Sequence, residues 1–263
     1  MIHTREEQLA AFNRLLDIQE ELRIKCPWDR KQTMESLRSY TIEEVYELAA
    51  AIMKKEPAEI KKELGDVLEH VIFYSIIGSE DGSFDIADVC NSLCDKLIFR
   101  HPHIYGHTMK ADTEEQVERN WEQLKLKEKG GNKTVLAGVP ESLPSVVKAH
   151  RIQDKARRVG FDWDEKQQVW DKVKEEIAEL QTEIDKTDAD KMEAEFGDVF
   201  FSLINAARLY DINPDNALER TNRKFIRRFN YLEERSKQLG IPLKEMPLEQ
   251  MEEIWQEAKQ SET

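Results

Sequence analysis

One acidic pattern occurs twice in this chain with unchanged internal spacing. The residues EEVYE (43–47) precede ELGD (63–66), and EEIAE (175–179) precede EFGD (195–198). All four acids keep one offset of 132 residues, for example 176 − 44 and 195 − 63. Self-similarity at a fixed offset is typical of a repeated structural unit. The chain is therefore predicted to contain two copies of one domain.

Further similarities flank this block, with small changes of spacing that indicate insertions in loops. They pair Trp28-Asp29 with Phe161-Asp162, residues 96–100 with 224–228, and residues 115–121 with 249–255. Between the copies, GGNK (130–133) is followed by Pro140 and Pro144, and glycine pairs and prolines interrupt helices. We therefore expect domains at residues 1–130 and 141–263, each large enough to bury its own core.

The composition and the spacing of apolar residues favour helices. Charged residues make up 35% of the chain and apolar residues 40%, with 10 Gly and 8 Pro among 263 residues, which disfavours a turn-rich all-β fold. From about Arg5 to Arg23 the apolar residues recur at helical spacing. We predict an all-α fold with about five helices per copy, built on a four-helix core.

Local signals predict where several helices begin and end. Thr41, with Glu44 three positions later, has the pattern of a capping box, which predicts that the first acidic helix begins there. Pro57 suits the first turn of a second acidic helix that reaches about Ile77. Asn213-Pro214 likewise predicts the start of a long helix that ends near Gly240.

The formal net charge of −14 argues against long nucleic acids as partners, because binding to a phosphate backbone requires a basic surface. A small anion remains compatible, since a divalent metal and a few cations reverse the charge of a single pocket. The sequence predicts neither a signal peptide nor a membrane span. Three cysteines without CxxC spacing indicate neither a disulfide framework nor a thiolate metal site, so we expect a cytoplasmic protein.

Acidic side chains three positions apart project from one face of a helix. Glu44 and Glu47 form one such pair, and Glu63 and Asp66 form another. If their helices are antiparallel neighbours, four carboxylates converge and their repulsion requires a cation. Ligation by oxygen alone suits Mg²⁺ or Mn²⁺. Solvated glutamates are common on helices, but the duplication of both spacings favours a metal site.

Gly65 and Gly197 immediately precede the aspartates of the two acidic blocks. Glycine inside a helix costs about 1 kcal/mol relative to alanine. Both copies accept this cost at the same position, which predicts the close approach of a helix, a metal or a ligand.

Other chemistries find less support. Di-iron helical bundles use Glu-x-x-His motifs, and no histidine of this chain has a glutamate three positions before it. The chain has no P-loop or GxGxxG motif and no nucleophile elbow. His101, His103 and His107 could ligate zinc, but they lie in a Pro- and Gly-containing connection after a helix, where a structural or interface role is favoured.

Together the motifs resemble the two-domain MazG nucleoside triphosphate pyrophosphohydrolases. The resemblance covers essentially the whole chain and rests on EExxE with ExxD in both copies, CPWD (26–29), RHPH (100–103), VGFDW (159–163) and KFxRRF (224–229). It implies two tandem all-α MazG domains, a homodimer, and Mg²⁺-dependent cleavage of nucleoside triphosphates to the monophosphate and pyrophosphate. A broad range of bases would fit house-cleaning or control of the nucleotide pool.

The resemblance also implies roles for individual residues. The catalytic metal ligands of the second copy would be Glu176, Glu179, Glu195 and Asp198. The nucleotide would contact Lys172, Glu175, Lys191, Lys224, Arg228 and Trp255. A second metal cluster in the first copy would consist of Glu44, Glu47, Glu63 and Asp66. Trp255 would stack on a base, although an anchoring role in the core is an equally good interpretation.

The cations around the acids predict that the second copy carries most of the activity. A triphosphate needs cations besides the metal. The first copy has Tyr40 where the second has Lys172, and Glu59 where the second has Lys191. Two of four candidate phosphate-binding cations are therefore missing from the first copy.

Two alternative functions remain open. One is a base-selective deoxynucleotide pyrophosphatase of the same helical superfamily, because the motifs do not reveal base preference. The other is a non-catalytic acidic helical scaffold with solvated carboxylates. A substrate panel tests the first alternative, and a scaffold would show no Mg²⁺-linked gain in stability.

Overall fold

The computed structural model describes residues 3–106, 113, 116–117, 120–121, 124–125, 134–163 and 165–261. The chain divides into two compact units, Met1–Lys110 and Ala111–Thr263. The predicted domain boundary stays a prediction, because residues 126–133 lie outside the described part. The regular elements within the described ranges are all helical, which confirms the all-α fold. Within these ranges no helix is both long and apolar enough to span a bilayer.

The first unit is centred on a long helix, α3. Its described elements are α1 (Arg5–Lys25), a 3-10 segment (Asp29–Lys31), α2 (Met34–Lys54), α3 (Pro57–Glu80), α4 (Ile86–Arg100) and α5 (Pro102–Tyr105). A capping box starts α1: the Thr4 hydroxyl accepts a hydrogen bond from the Glu7 amide, and the Glu7 carboxylate accepts one from the Thr4 amide. α3 packs against α1, α2 and α4.

α2 and α3 form a tight helical hairpin. Only Lys55 and Glu56 separate the two helices. Lys55 ends α2 in the left-handed conformation, with φ 59°. Pro57 lies in the first turn of α3, where its missing N–H leaves no hydrogen bond unmade. The buried apolar side chains of the hairpin are Leu37, Ala51, Ile72 and Phe73.

The second unit contains a hairpin of the same design. Its helices are α6 (Ser145–Arg158), α7 (Lys166–Lys186), α8 (Ala189–Arg208), α9 (Pro214–Leu239) and α10 (Leu248–Gln260), with a 3-10 segment at Leu243–Glu245. Thr187, with φ 60°, ends α7. The Asp188 side chain then accepts a hydrogen bond from the Lys191 amide at the start of α8. α8 packs against α6, α7 and α9.

Two clusters of buried residues contribute to the core of the second unit, as far as the structure describes it. Val169 and Val173 of α7 pack with Ala206 of α8. Leu232, Met246 and Ile254 fill the space where α9 meets α10. The predicted long helix is confirmed: the Asn213 side chain caps the start of α9, and Gly240, with φ 68°, ends it.

The predicted start of the first acidic helix is wrong. α2 begins about two turns earlier, where Thr33 and Ser36 form a capping box. Thr41 lies within α2, and its Oγ1 is 2.8 Å from His70 Nδ1 and 2.7 Å from the Tyr74 hydroxyl of α3. The hydroxyl also donates to the Leu37 carbonyl, 3.0 Å away. Thr41 therefore makes tertiary contacts with α3 and does not cap a helix.

Candidate active site

The α7–α8 hairpin brings together acids from two helices. Glu176 and Glu179 lie one turn apart on α7, and Glu195 lies on α8. One carboxylate oxygen of each lies within 4.8 Å of the others, a separation that suits ligation of one divalent cation. Glu176 is buried, Glu195 half-buried and Glu179 exposed. Asp198, the fourth expected ligand, is exposed and lies outside this group.

The α2–α3 hairpin holds a related group. Oxygens of Glu44 on α2 and of Glu63 and Asp66 on α3 lie within 4.8 Å of one another. Glu47 is exposed and lies outside the group. Three of the four expected acids therefore converge in each copy, but the acid that stays apart differs between the copies.

Within the part of the chain that the structure describes, a buried carboxylate oxygen of each cluster lacks a hydrogen-bond partner. The atom is Oε2 of Glu63 in the first copy and Oε2 of Glu195 in the second. Glu63 is only 4% exposed. An unpaired buried polar atom is costly, and a hard cation bound by oxygen ligands would offset that cost. The donor set of both clusters therefore fits Mg²⁺ or Mn²⁺.

The acids also perturb one another electrostatically. Desolvation, followed by the negative charge of Asp66, raises the pKa of Glu44. Desolvation, followed by the negative charge of Glu176, raises the pKa of Glu179. Both carboxyls are thus harder to ionise than ordinary glutamates, and a bound cation would reverse this effect.

Lys172 lies against the second cluster. Its Nζ is 2.8 Å from Glu175 Oε1 and 2.8 Å from Glu176 Oε1. Hydrogen bonds to these two carboxylates, first that of Glu175, raise the pKa of Lys172. The lysine therefore remains a cation and offsets part of the charge of the cluster. Lys191 pairs with Asp188 at the start of α8, at 3.3 Å.

Lys62 neutralises the first cluster and was not predicted. Its Nζ is 2.8 Å from Glu63 Oε1 and 3.5 Å from Asp66 Oδ2. The corresponding residue of the second copy is Ala194. The first copy lacks a counterpart of Lys172, but it has a cation on the other helix of the hairpin. Lys62 has no aligned counterpart, but it directly precedes Glu63, and this adjacency is the signal in the sequence.

The other expected nucleotide contacts lie on α9 and α10. The guanidinium carbon of Arg228 is 5.9 Å from the centre of the Trp255 ring, within the range of a cation–π contact. The Phe225 ring lies 5.1 Å from the same ring. Trp255 is half-buried, and Lys224, one turn before Arg228, is exposed. These residues and the carboxylates lie on different helix pairs of one unit.

A cavity of about 550 Å³ lies beside the second cluster. Its charged lining includes Lys172, Glu176 and Asp198. Its apolar lining includes Ile152, Ala156, Phe161, Trp163, Val169 and Phe201. Asp198 therefore borders the same space as Glu176 although its carboxylate lies outside the compact group. Apolar walls with a few charged groups are typical of small-molecule sites.

Two polar features of this cavity were not predicted. Arg208 of α8 donates two hydrogen bonds to the Asp162 carboxylate, one of them 3.0 Å long. The local sequence gave no signal for this pair, which joins residues far apart in the chain. Gln153 also lines the cavity. A signal for Gln153 exists, because Ile152-Gln153-Asp154 resembles Ile18-Gln19-Glu20.

The two repeated glycines leave open space around their Cα atoms. A Cβ atom at Gly65 or Gly197 would meet no atom of the described residues within 4 Å. The expected close approach of a neighbouring helix is therefore wrong for the described residues. The approach of a metal or a ligand at these positions stays a prediction.

The histidines considered as zinc ligands are only partly described. The rings of His101 and His103 lie 5.6 Å apart at the end of α4. His101 Nδ1 lies 2.6 Å from the Leu97 carbonyl oxygen, and His101 is the residue that caps the C-terminal end of α4. His107 lies outside the described residues.

Comparison with known proteins gives consistent matches. The model of the MazG nucleotide pyrophosphohydrolase domain matches residues 32–105 and 165–232, which confirms the tandem arrangement. A nucleoside triphosphate pyrophosphohydrolase/pyrophosphatase MazG from Thermotoga maritima is 42% identical over 251 residues, covering 94% of this chain and 95% of that protein. A nucleoside triphosphate pyrophosphohydrolase from Escherichia coli K12 is 38% identical over 258 residues, covering 95% and 98%. The two matched segments contain the α2–α3 and α7–α8 hairpins.

Proposed function

The chain belongs to the MazG nucleotide pyrophosphohydrolase family, and on this basis we propose that it hydrolyses nucleoside triphosphates to the monophosphate and pyrophosphate in a Mg²⁺-dependent reaction. The relatives from Thermotoga maritima and Escherichia coli are named for this class of activity. The observation that carries the proposal is the group formed by Glu176, Glu179 and Glu195, whose oxygens lie within 4.8 Å of one another beside the 550 Å³ cavity.

The metal would be held by this group, with Asp198 contributing from the cavity wall. The unpartnered Oε2 of Glu195 supports the assignment. When bound, Mg²⁺ or Mn²⁺ would neutralise phosphate oxygens and lower the pKa of a coordinated water. Glu44, Glu63 and Asp66, with Glu47 nearby on α2, would form the second metal cluster.

The cations of the second copy would stabilise the phosphates. Lys172 would exchange its contact with Glu176 for phosphate oxygens, keep its contact with Glu175, and stabilise the charge on the departing pyrophosphate. Glu175 would then keep the lysine oriented. We also propose that Lys191 on α8, and Lys224 and Arg228 on α9, bind phosphate oxygens.

The proposed base range is broad, consistent with house-cleaning of the nucleotide pool. Aromatic walls tolerate different bases, because every base has a π-face. The alternative, a base-selective deoxynucleotide pyrophosphatase, would turn over one member of a mixed panel far faster than the rest. A panel of ribo- and deoxynucleoside triphosphates at equal concentration distinguishes them.

We also propose a homodimer that acts in the cytoplasm. Apolar side chains are exposed at equivalent positions of α3 and α8, namely Leu64 with Phe196 and Leu68 with Phe200. Extensive exposed apolar surface is typical of a protein interface. Light scattering coupled to size-exclusion chromatography should give twice the 30.8 kDa chain mass.

Product analysis tests the proposed activity. The protein is incubated with Mg²⁺ and the nucleotide panel, and ³¹P NMR is used to identify the products. We expect monophosphate and pyrophosphate, with activity lost in excess chelator. Orthophosphate as the primary product, or full activity in chelator, contradicts the proposal. A non-catalytic scaffold would in addition show no increase in melting temperature on Mg²⁺ addition.

A further inference from the structure

Gln153 is a buried residue with one unused hydrogen-bonding atom. It lies on α6, is 6% exposed and lines the cavity beside the second cluster. Its Nε2 donates a 2.7 Å hydrogen bond to the Phe201 carbonyl. This donation fixes the orientation of the amide, and Oε1 has no partner among the described residues. An unpaired buried acceptor lowers the stability of the folded protein, and a ligand that donates a hydrogen bond to it would offset this cost.

The first copy has a buried glutamine at the matching place. Gln19 lies on α1 within the Ile-Gln-acid tripeptide shared by the two copies. It is 2% exposed, and its Nε2 has no partner in the described part of the chain. Glutamine side chains are mostly exposed in proteins and are seldom buried in the core. Both copies thus keep a buried amide with an unused atom, which a role in packing alone does not explain.

We propose that the cavity binds the nucleobase and that Gln153 Oε1 accepts a hydrogen bond from an N–H group of that base. The assignment rests on the proposed function and adds the subsite that recognises the base. A cavity of about 550 Å³ is within the usual range of about 300–1,000 Å³ for small-molecule sites. Phe161 is 83% exposed and Trp163 45%, so both rings are available to pack against a base.

The charges around the cavity agree with this orientation of the nucleotide. Glu176 and Asp198, both expected metal ligands, line the same cavity as Gln153. Lys172 lines it as well. A base bound against Gln153 therefore shares one cavity with the groups assigned to the phosphates. Trp255 is not needed for base binding in this arrangement, which favours its anchoring role beside Phe225 and Arg228.

The proposal predicts a specific substrate preference. Each common base carries an N–H donor, either an exocyclic amino group or a ring N–H, so an acceptor at Gln153 is compatible with broad specificity. Purine riboside triphosphate has the shape of ATP without the amino group and has no base N–H. The lost hydrogen bond should lower its kcat/KM about tenfold relative to ATP.

The experiment compares ATP with purine riboside triphosphate as substrates of the full chain with Mg²⁺. We expect the wild type to prefer ATP about tenfold, and Gln153→Met to lose this preference through a lower kcat/KM for ATP alone. If the wild type has equal kcat/KM for the two substrates, the assignment is overturned, whether or not the variant folds. A folded Gln153→Met protein that keeps the preference also overturns it, with circular dichroism as the check on folding.

The same experiment distinguishes failure of the proposed activity from failure of the proposed base subsite. If neither triphosphate releases pyrophosphate, the pyrophosphohydrolase activity itself is wrong, and the base subsite is rejected with it. If both release pyrophosphate at equal rates, the activity stands and only the role of Gln153 is rejected.

Discussion

Lys62 and Lys172 neutralise corresponding acidic clusters from opposite helices of the hairpin. Lys62 lies on α3, the second helix of its hairpin, whereas Lys172 lies on α7, the first helix of the other. The two copies therefore compensate the same charge with residues that do not align. This difference places a phosphate-binding cation at distinct positions around the two clusters, so the copies should bind triphosphates unequally.

Substitution of Lys172 tests its role in catalysis. Lys172→Met should lower kcat/KM about 100-fold, because it removes a cation that would stabilise the transition-state charge. Lys174→Met is the matched control: Lys174 is exposed on the same helix and pairs with Asp171 at 3.0 Å. Steady-state kinetics with the two variants gives the comparison. Equal losses in both would show a general effect of charge and contradict the assigned role.

The acids at equivalent positions test which copy is active. Glu195→Gln should reduce kcat at least about 100-fold, while Glu63→Gln should reduce it less than about tenfold. The expected difference reflects the cavity and Lys172 beside the second cluster. Pyrophosphate release is measured for both variants, with circular dichroism as a check on folding. Loss of activity in the Glu63 variant alone would reverse the assignment of the active copy.

The raised pKa of Glu44 predicts how stability depends on pH. In the metal-free protein, protonated Glu44 is compatible with the neighbouring acids, so below its ordinary pKa of 4.5 the folded state keeps its full stability. As the pH rises through the raised pKa that Glu44 has in the folded protein, Glu44 ionises and this contribution to the free energy of unfolding is lost. The neutral side chain of Glu44→Gln does not ionise, so the variant avoids this loss. The melting temperature of the variant at pH 7 should exceed that of the wild type by roughly 1–3 °C. Calorimetry in chelator at pH 4 and pH 7 should show the difference only at pH 7.

Magnesium should reverse the effect of the Glu44 substitution at pH 7. The wild type should gain more stability from the cation than Glu44→Gln, because the variant lacks one ligand of the first cluster. A variant that is less stable than the wild type in chelator at pH 7 would show that repulsion among these acids is unimportant.

The open space at Gly197 predicts separate effects on stability and activity. Gly197→Ala should stabilise the metal-free protein by about 1 kcal/mol through helix propensity, or roughly 2–4 °C in melting temperature. The reason is that the added Cβ meets no atom of the residues that the structure describes within 4 Å. Its kcat/KM should fall if that space receives substrate or metal. Gly65→Ala should stabilise equally and leave most of the activity. Full activity in Gly197→Ala would show that no ligand approaches this glycine.

The helices were largely predictable because their signals are local. The spacing of apolar residues predicted α1, and proline or asparagine at helix starts predicted α3 and α9. The failure at Thr41 has a physical cause. Its T-x-x-E pattern matches a capping box, but His70 and Tyr74 on the neighbouring helix provide its hydrogen-bonding partners, and such tertiary contacts have no signal in a four-residue window.

The candidate site was predictable where the repeat carried the information. The duplicated spacing predicted the convergence of Glu176 and Glu195 across a hairpin. Lys62 was missed because it has no counterpart in the other copy. The contact of Asp162 with Arg208 depends on how a loop folds back on α8, and neither residue type nor spacing indicates it.

The hairpin turns impose a constraint on chain length. Lys55 and Thr187 occupy the same position of the two turns, each with a left-handed backbone and one further residue before the next helix. Inserting one residue there would rotate the following helix by about 100° about its axis and carry Glu63 or Glu195 away from its partners. Loops elsewhere differ in length between the copies, so insertions accumulated around the acidic block and not within it.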